Sequence, residues 1–238
     1  MNYDISSNPA LGAGSSSPLN DTCAPAGARF GSAVSAVNAW TNAGMPPNKI
    51  VLGVPAYGHS YVTLTQSMKT SNASSSNVSN SLSFYPPYNA AATAEHPGDK
   101  WDSNGGVDVC GVMQGPGGIY TYWGLVDEGF LQDDGSVADG IEFRFDDCSQ
   151  TVSRFQSLSD SVLISILQPF LFNSTSAIYI AYENPRSYAS KGAYIRSAGL
   201  KGFAMWEAGG DLNDTLLDSI CTSAPHLQAR TRRLNHLQ

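Results

Sequence analysis

Apolar residues along this chain form two regular stretches separated by an irregular one. Ile50-Val51-Leu52-Gly53-Val54 and Gly202-Phe203-Ala204-Met205-Trp206 are continuous apolar runs, the pattern of strands buried on both faces in a parallel sheet. Ahead of the first run, Ala33, Ala36, Val37 and Trp40 recur at helical spacing. They predict a helix over 32–43 with these residues on one face, stopped by Gly44 and Pro46. Asn184 followed by Pro185 supplies a cap and a first-turn residue for another helix, which runs to Ser197 and ends at Gly199. Leu216, Leu217 and Ile220 fit a short last helix over 213–220. Met1 to Ile5 reads as a strand-like piece that enters a turn-rich loop over 6–31.

Between residues 60 and 147 the periodicity breaks up. Ser/Asn-rich stretches alternate with aromatic clusters such as Phe84-Tyr85-Pro86-Pro87-Tyr88 and with turn signals such as Asn104-Gly105-Gly106. So many aromatic side chains want burial, so the stretch reads as an inserted, mostly β subdomain rather than a linker. Ile178 to Tyr182 is expected to be its last strand. The order strand, helix, strand, insertion, helix, strand, helix gives the α/β class. The expected segments are 1–60, 61–183, 184–222 and a tail over 223–238 with no readable motif. Residues 152–168 fit nothing around them. Val152-Ser153 can be encoded by GTAAGT and Gln168 by CAG, the usual ends of an intron, so a translated intron and an amphipathic surface helix stand as alternatives.

Composition narrows the setting. Charged residues are only 14%, below the usual quarter, and Ser, Asn, Thr and Gly carry the polar surface. Sequons at Asn20, Asn72, Asn77, Asn173 and Asn213 add to an extracellular reading. Met1-Asn2-Tyr3-Asp4 has neither a basic nor an apolar leader, so a missing N-terminal part is expected to hold the secretion signal. The net charge of -7 argues against nucleic acid or an anionic membrane as partner, and no apolar run is long enough to span a bilayer. Cys23, Cys110, Cys148 and Cys221 lack C-x-x-C spacing, which argues against a metal; as disulfides they allow three pairings. No cofactor is called for, and oligomeric state cannot be read.

Three strand-end motifs add a resemblance. Met1-Asn2-Tyr3-Asp4 resembles the M-x-Y-D motif of the sixth barrel strand of glycoside hydrolase family 18. Gly53-Val54-Pro55-Ala56-Tyr57-Gly58-His59-Ser60 is similar to that family's seventh strand, with His59 where many members have Arg. Gly202-Phe203-Ala204-Met205-Trp206-Glu207 is similar to the eighth. Asp146-Asp147-Cys148-Ser149-Gln150-Thr151 and Ala208-Gly209-Gly210-Asp211 resemble the fungal chitinases of this family. All three strand-end motifs occur in order at the C-terminal ends of expected strands, where barrel active sites lie.

The resemblance implies about the last three strands of a (β/α)₈ TIM barrel with an inserted chitinase subdomain. It also implies substrate-assisted, retaining hydrolysis of β-1,4-linked N-acetylglucosamine polymers, an exception to the two-carboxylate scheme. By the same resemblance, Tyr3 donates its hydroxyl to the N-acetyl oxygen and Asp4 orients sugar hydroxyls. Trp206 forms the floor under the distorted sugar, Tyr57 contributes to the wall, and Met1 packs below. On the residues alone, Trp206 also reads as a core tryptophan, Tyr57 as a packed turn residue and Asp4 as a turn cap. The family's general acid is a Glu in a D-G-x-D-x-D-x-E run, which occurs nowhere in this sequence. The chain by itself is therefore expected to be inactive, and its strand edges, with too few strands to close a barrel, to associate. The expected partner is chitin or a chito-oligosaccharide. A glycan-binding, lectin-like relative without hydrolysis is the alternative.

Overall fold

The computed structural model describes residues 1–5, 8–22, 24, 26–67, 85–145 and 169–223. Residues 152–168, the tail beyond 223, Cys23, Cys148, Asn72 and Asn77 lie outside them.

Helix α1, Ala33–Asn42, starts at a reciprocal cap: Ser35 N–H donates to Ser32 Oγ at 3.2 Å and Ser32 N–H to Ser35 Oγ at 2.8 Å. Ala33 and Val37 are buried and Val34 packs beside them, whereas Ala36 is exposed and Trp40 is 59% exposed. The expected apolar face is therefore displaced. Its centre lies between Val34 and Val37, and Trp40 falls past the edge in the last turn.

Strand β1, Val51–Pro55, follows and pairs in parallel with a strand almost at the end of the chain, in register from Val51 opposite Gly202 to Pro55 opposite Trp206. After a single residue, Ala56, strand β2 (Tyr57–Val62) leaves in a different sheet. Ala56 joins the two layers: its N–H donates to Trp206 O at 2.8 Å and its carbonyl accepts from Tyr122 N at 2.9 Å.

The irregular region contains helix α2 (Ala90–Glu95), the small hairpin β3 (Gly106–Val107) and β4 (Met113–Gln114), strand β5 (Ile119–Thr121) and helix α3 (Tyr122–Asp127). Strands β6 (Ile141–Phe145), β7 (Pro169–Asn173) and β8 (Ile178–Ala181) complete an antiparallel sheet in the order β5-β2-β8-β7-β6. β7 and β8 are apolar on both faces and almost wholly buried. The chain is thus α/β, with a parallel pair and a mixed-origin antiparallel sheet.

Helix α4, Pro185–Ser197, keeps the bounds its sequence predicts. Asn184 Oδ1 accepts from Ser187 N at 3.0 Å, and Gly199 takes φ 63° just past the end. Gly192 lets α4 approach the last helix, since a Cβ there would sit 2.4 Å from Ile220 O. Strand β9 is Gly202–Trp206, and helix α5 is Thr215–Ser223. α5 starts two residues later than expected because Asn213 and Asp214 adopt φ 52° and 57°; Asp211 caps it instead, accepting from Leu216 N and Leu217 N at 3.0 Å.

β9 also corrects an expectation. It is not buried on both faces: Ala204 and Trp206 are exposed, because among the described residues β1 is its only strand neighbour. The first residues form no strand of their own, although Asn2 N–H donates to Gly53 O at 3.1 Å and holds them against β1.

The core of the α/β layer, including Leu52, Val54, Ile195, Leu216 and Ile220, is continuous with the inner face of the antiparallel sheet through Ile180 and Tyr182. Next to it lies a buried ion pair, Lys191 Nζ to Glu183 Oε1 at 2.8 Å, both side chains 2% exposed or less. Loss of water pushes the Glu183 carboxyl up and the Lys191 ammonium down, and each charge draws the other back. Lys191 also donates to Ser17 Oγ at 2.6 Å, and Ser17 donates to Asn2 O at 2.5 Å. Asn2 Nδ2 reaches Pro18 O at 3.1 Å. A polar chain thus runs from α4 to the residue beside Tyr3.

Two expectations about an oxidised, glycosylated surface meet the structure here. Cys110, exposed, and Cys221, buried, are free. Asn20 is 4% exposed and its Oδ1 accepts from Thr22 N at 2.9 Å, so this sequon is closed in the folded chain.

Candidate functional site

The parallel pair and the antiparallel sheet diverge at Ala56, and the gap they leave is an open cleft of about 380 Å³. One wall is the end of β9, with Trp206, Glu207 and Gly210; the base is the start of β2, with Tyr57 and His59; the far rim is the turn over 99–103. Asp4 enters from the N-terminal segment.

Alternation along β2 puts Tyr57 and His59 on one face, and both reach the same carboxylate oxygen. The Tyr57 hydroxyl donates to Asp4 Oδ1 at 2.7 Å, and His59 Nε2 lies 2.9 Å from that atom. An ionised carboxylate only accepts, so Nε2 carries the proton in this contact. The His59 hydrogen bond, then the Tyr57 one, hold the Asp4 carboxyl below its ordinary range, against an opposing push from partial burial. Burial, reinforced by Asp4, moves the Tyr57 phenol upward, so it stays a donor. Asp4 itself sits at φ 57°, a conformation Asp tolerates better than most residues.

The expected site residues do not all converge. Asp4, Tyr57 and Trp206 line the cleft together, and Trp206 is 59% exposed rather than a core residue. Tyr3 stands behind them, its ring edge-on to Tyr57 with centroids 6.2 Å apart. Met1 is 93% exposed and rests against Gly53, where an added Cβ would come within 2.9 Å of the Met1 Cα.

The rim was not visible in the sequence. Asp99, 5% exposed, accepts from Trp101 N at 2.9 Å, Thr121 N at 2.7 Å and Thr121 Oγ1 at 2.6 Å. Asp102 Oδ2 accepts from Gly98 N at 2.8 Å and Gly118 N at 2.7 Å. Together they hold Trp101 at the mouth. A sequence signal existed only as Asp99 and Asp102 spaced around a tryptophan, which is unspecific. His59 was noticed as a departure from Arg, not as a partner of Asp4.

Among the described residues that line it, Asp4, Asp99, Asp102 and Glu207 are acidic and His59 is the one basic side chain, so this lining is acidic. It is built for a neutral or cationic ligand with an apolar face, and it would repel an anionic one.

Four known matches bear on the family and the fold. The family model described as "Glycosyl hydrolases family 18" matches residues 1–211. A "chitinase-like effector" of Moniliophthora roreri is 42% identical over 92% of this chain and 48% of its own length. The crystal structure of a chitinase from Rhizomucor miehei superposes with a TM-score of 0.71 at 23% identity, covering 94% of this chain and 52% of that one. A mutant family 18 chitinase from Cycas revoluta, in complex with (GlcNAc)4, gives 0.56 at 17%, covering 94% and 45%. The chain spans about half the length of these relatives.

Proposed function

The chain belongs to glycoside hydrolase family 18, and from that premise we propose that its cleft binds β-1,4-linked N-acetylglucosamine oligomers. The observation that carries this reading is the Asp4–Tyr57–His59 cluster facing an exposed Trp206 across one cleft. An indole is flat and apolar, as is the C–H face of a pyranose ring. The cluster beside it presents a carboxylate, a phenol and an imidazole to sugar hydroxyls and an acetamido group. Surrounding carboxylates disfavour uronic or sulfated glycans.

In this reading β1 and β9 are the seventh and eighth strands of a (β/α)₈ barrel, residues 1–5 end the sixth, and the antiparallel sheet is an insertion after the seventh. Family chemistry is substrate-assisted: the N-acetyl oxygen attacks its own anomeric carbon while a carboxylic acid protonates the leaving oxygen. In the family arrangement Tyr3 steadies the acetamido oxygen as charge develops, although here its ring stands behind Tyr57, off the cleft lining; Asp4 orients the sugar, and Trp206 is the floor. Met1 lies below in the family arrangement. No D-G-x-D-x-D-x-E run occurs in these 238 residues, so the chain alone binds without turnover. The whole protein hydrolyses chitin if such a Glu lies elsewhere in it.

The name of the 42% identical relative, a chitinase-like effector, favours a second reading in which the whole protein too is a secreted glycan binder without hydrolysis. A chromogenic N-acetylglucosamine oligomer tests the silence of this chain, and saturation-transfer NMR with the unlabelled trimer tests binding. Chromophore release above blank would sink the claim that this chain is silent; absence of saturation transfer to the sugar protons would sink the claim that it binds.

A further inference from the structure

We propose that Ser17 is a positioning residue for the cleft: it joins the buried Glu183–Lys191 pair to the backbone of Asn2 and thereby fixes where Asp4 stands. This rests on the glycan-binding reading above for its effect on affinity, whereas the placement of Asp4 is tested without a ligand.

Asp4 lies in a segment that no strand supports. Residues 1–5 form no strand of their own, Asp4 takes a left-handed φ of 57°, and Met1 is exposed. The residues on either side of Tyr3 and Asp4 are tied down instead. Asn2 is buried; its N–H donates to Gly53 O at 3.1 Å and its Nδ2 to Pro18 O at 3.1 Å. Ile5 N–H donates to Ser16 O at 3.0 Å. Between Ser16 and Pro18, the buried Ser17 hydroxyl donates to Asn2 O at 2.5 Å. Residues 16–18 thus brace the segment before Tyr3 and after Asp4. Tyr57 and His59, which meet the Asp4 carboxylate at 2.7 and 2.9 Å, belong to β2, a strand held between β5 and β8. The partners of Asp4 are fixed by a sheet, and Asp4 itself by this brace.

The core decides how Ser17 is aimed. A serine hydroxyl rotates to suit its surroundings and offers one proton. Lys191 Nζ can only donate, and it approaches Ser17 Oγ at 2.6 Å. That leaves the proton for an acceptor, either Asn2 O or the Glu183 carboxylate, which also draws on Ser17. Glu183 is paired with Lys191 at 2.8 Å, so its charge is already met and the proton goes to Asn2 O. A buried ion pair is often no more stabilising than apolar side chains of the same volume. Here it ends on the hydroxyl that holds the carbonyl next to Tyr3, a use that an apolar pair could not serve.

The test is a carboxyl NMR titration of Asp4, with calorimetric binding of tetra-N-acetylchitotetraose, in wild type, Ser17→Ala and Ser190→Ala. Ser190 is the control: it too is buried, lies on α4 and donates to a backbone carbonyl, Arg186 O at 3.0 Å. In Ser17→Ala the Asp4 carboxyl should titrate higher than in wild type, toward the ordinary value of about 3.9. Tetramer affinity should fall about three- to tenfold. Ser190→Ala should leave both as in wild type. An unmoved Asp4 titration in Ser17→Ala overturns the proposal, as does an equal shift in Ser190→Ala, which would mean general loosening. If Ser17→Ala does not fold, Ser17→Cys, close in volume and a weaker donor, is read against the same outcomes. If wild type binds no sugar while Asp4 titrates higher in Ser17→Ala, the positioning stands and the glycan-binding reading fails. If sugar binds to wild type and Asp4 is unmoved, that reading stands and this inference alone fails.

Discussion

The Tyr57 hydroxyl donates to Asp4 Oδ1 at 2.7 Å and so joins residues 53 positions apart. It fastens the N-terminal segment to the first strand of the antiparallel sheet at the point where that sheet parts from β1. Tyr57→Phe removes the donor and leaves His59 as the partner of a less restrained carboxylate. Stability should fall by about 1 kcal/mol and chito-oligosaccharide affinity by roughly three- to tenfold, read by urea denaturation and by calorimetry.

Asp4 gives a pH signature. Its carboxyl is held below the ordinary value of about 3.9, first by His59 and then by Tyr57. A lowered folded-state value means that the unfolded chain takes up the proton first on acidification. The stabilisation is therefore complete above the ordinary value and is lost as pH falls through the lower folded one. The stability difference between wild type and Asp4→Asn should shrink as pH falls from about 5 toward 2. Urea midpoints across that acidic range measure it, and a difference that grows as pH falls below about 5 would contradict the assignment.

Gly53 offers a test that touches no ligand. An added Cβ would come within 2.9 Å of the Met1 Cα and 3.0 Å of Tyr3 Cε1, so Gly53→Ala should push residues 1–4 off β1. Glycan affinity should fall at least as far as in Tyr57→Phe, while the antiparallel sheet keeps its circular dichroism. Unchanged affinity would show that Asp4 does not depend on this seat.

The buried Glu183–Lys191 pair carries the fourth prediction. Replacing Lys191 by Met leaves an unpaired buried carboxylate and should cost about 3–5 kcal/mol, whereas Glu183→Leu with Lys191→Met should recover much of that. Lys191 also holds Ser17, which holds Asn2. The double variant should therefore regain stability but not full glycan affinity. Denaturation and calorimetry on the same samples separate the two effects.

How far all this could be read in advance depended on the range of the interactions. α4 was legible from end to end because Asn184, Pro185 and Gly199 are local signals. β1 and β9 showed as apolar runs for the same reason. The start of α5 was misplaced because Asn213 and Asp214, residue types that tolerate left-handed backbone, also serve as helix caps, and the sequence does not mark which role they take. The antiparallel sheet could be read only as aromatic-rich β structure. Its order sets β2 beside β8, more than a hundred residues away, and such pairings are fixed by packing rather than propensity. In the site, Asp4, Tyr57 and Trp206 came from motif resemblance. The Trp101 rim stayed hidden because a carboxylate that accepts backbone amides looks, in sequence, like any surface aspartate.

The central claim, that this cleft binds N-acetylglucosamine oligomers on Trp206, is tested most directly by titrating tetra-N-acetylchitotetraose into wild type and Trp206→Ala by calorimetry. The account predicts saturable binding to wild type and a loss of about tenfold or more in Trp206→Ala. No measurable binding to wild type, or the same affinity in both proteins, would contradict it.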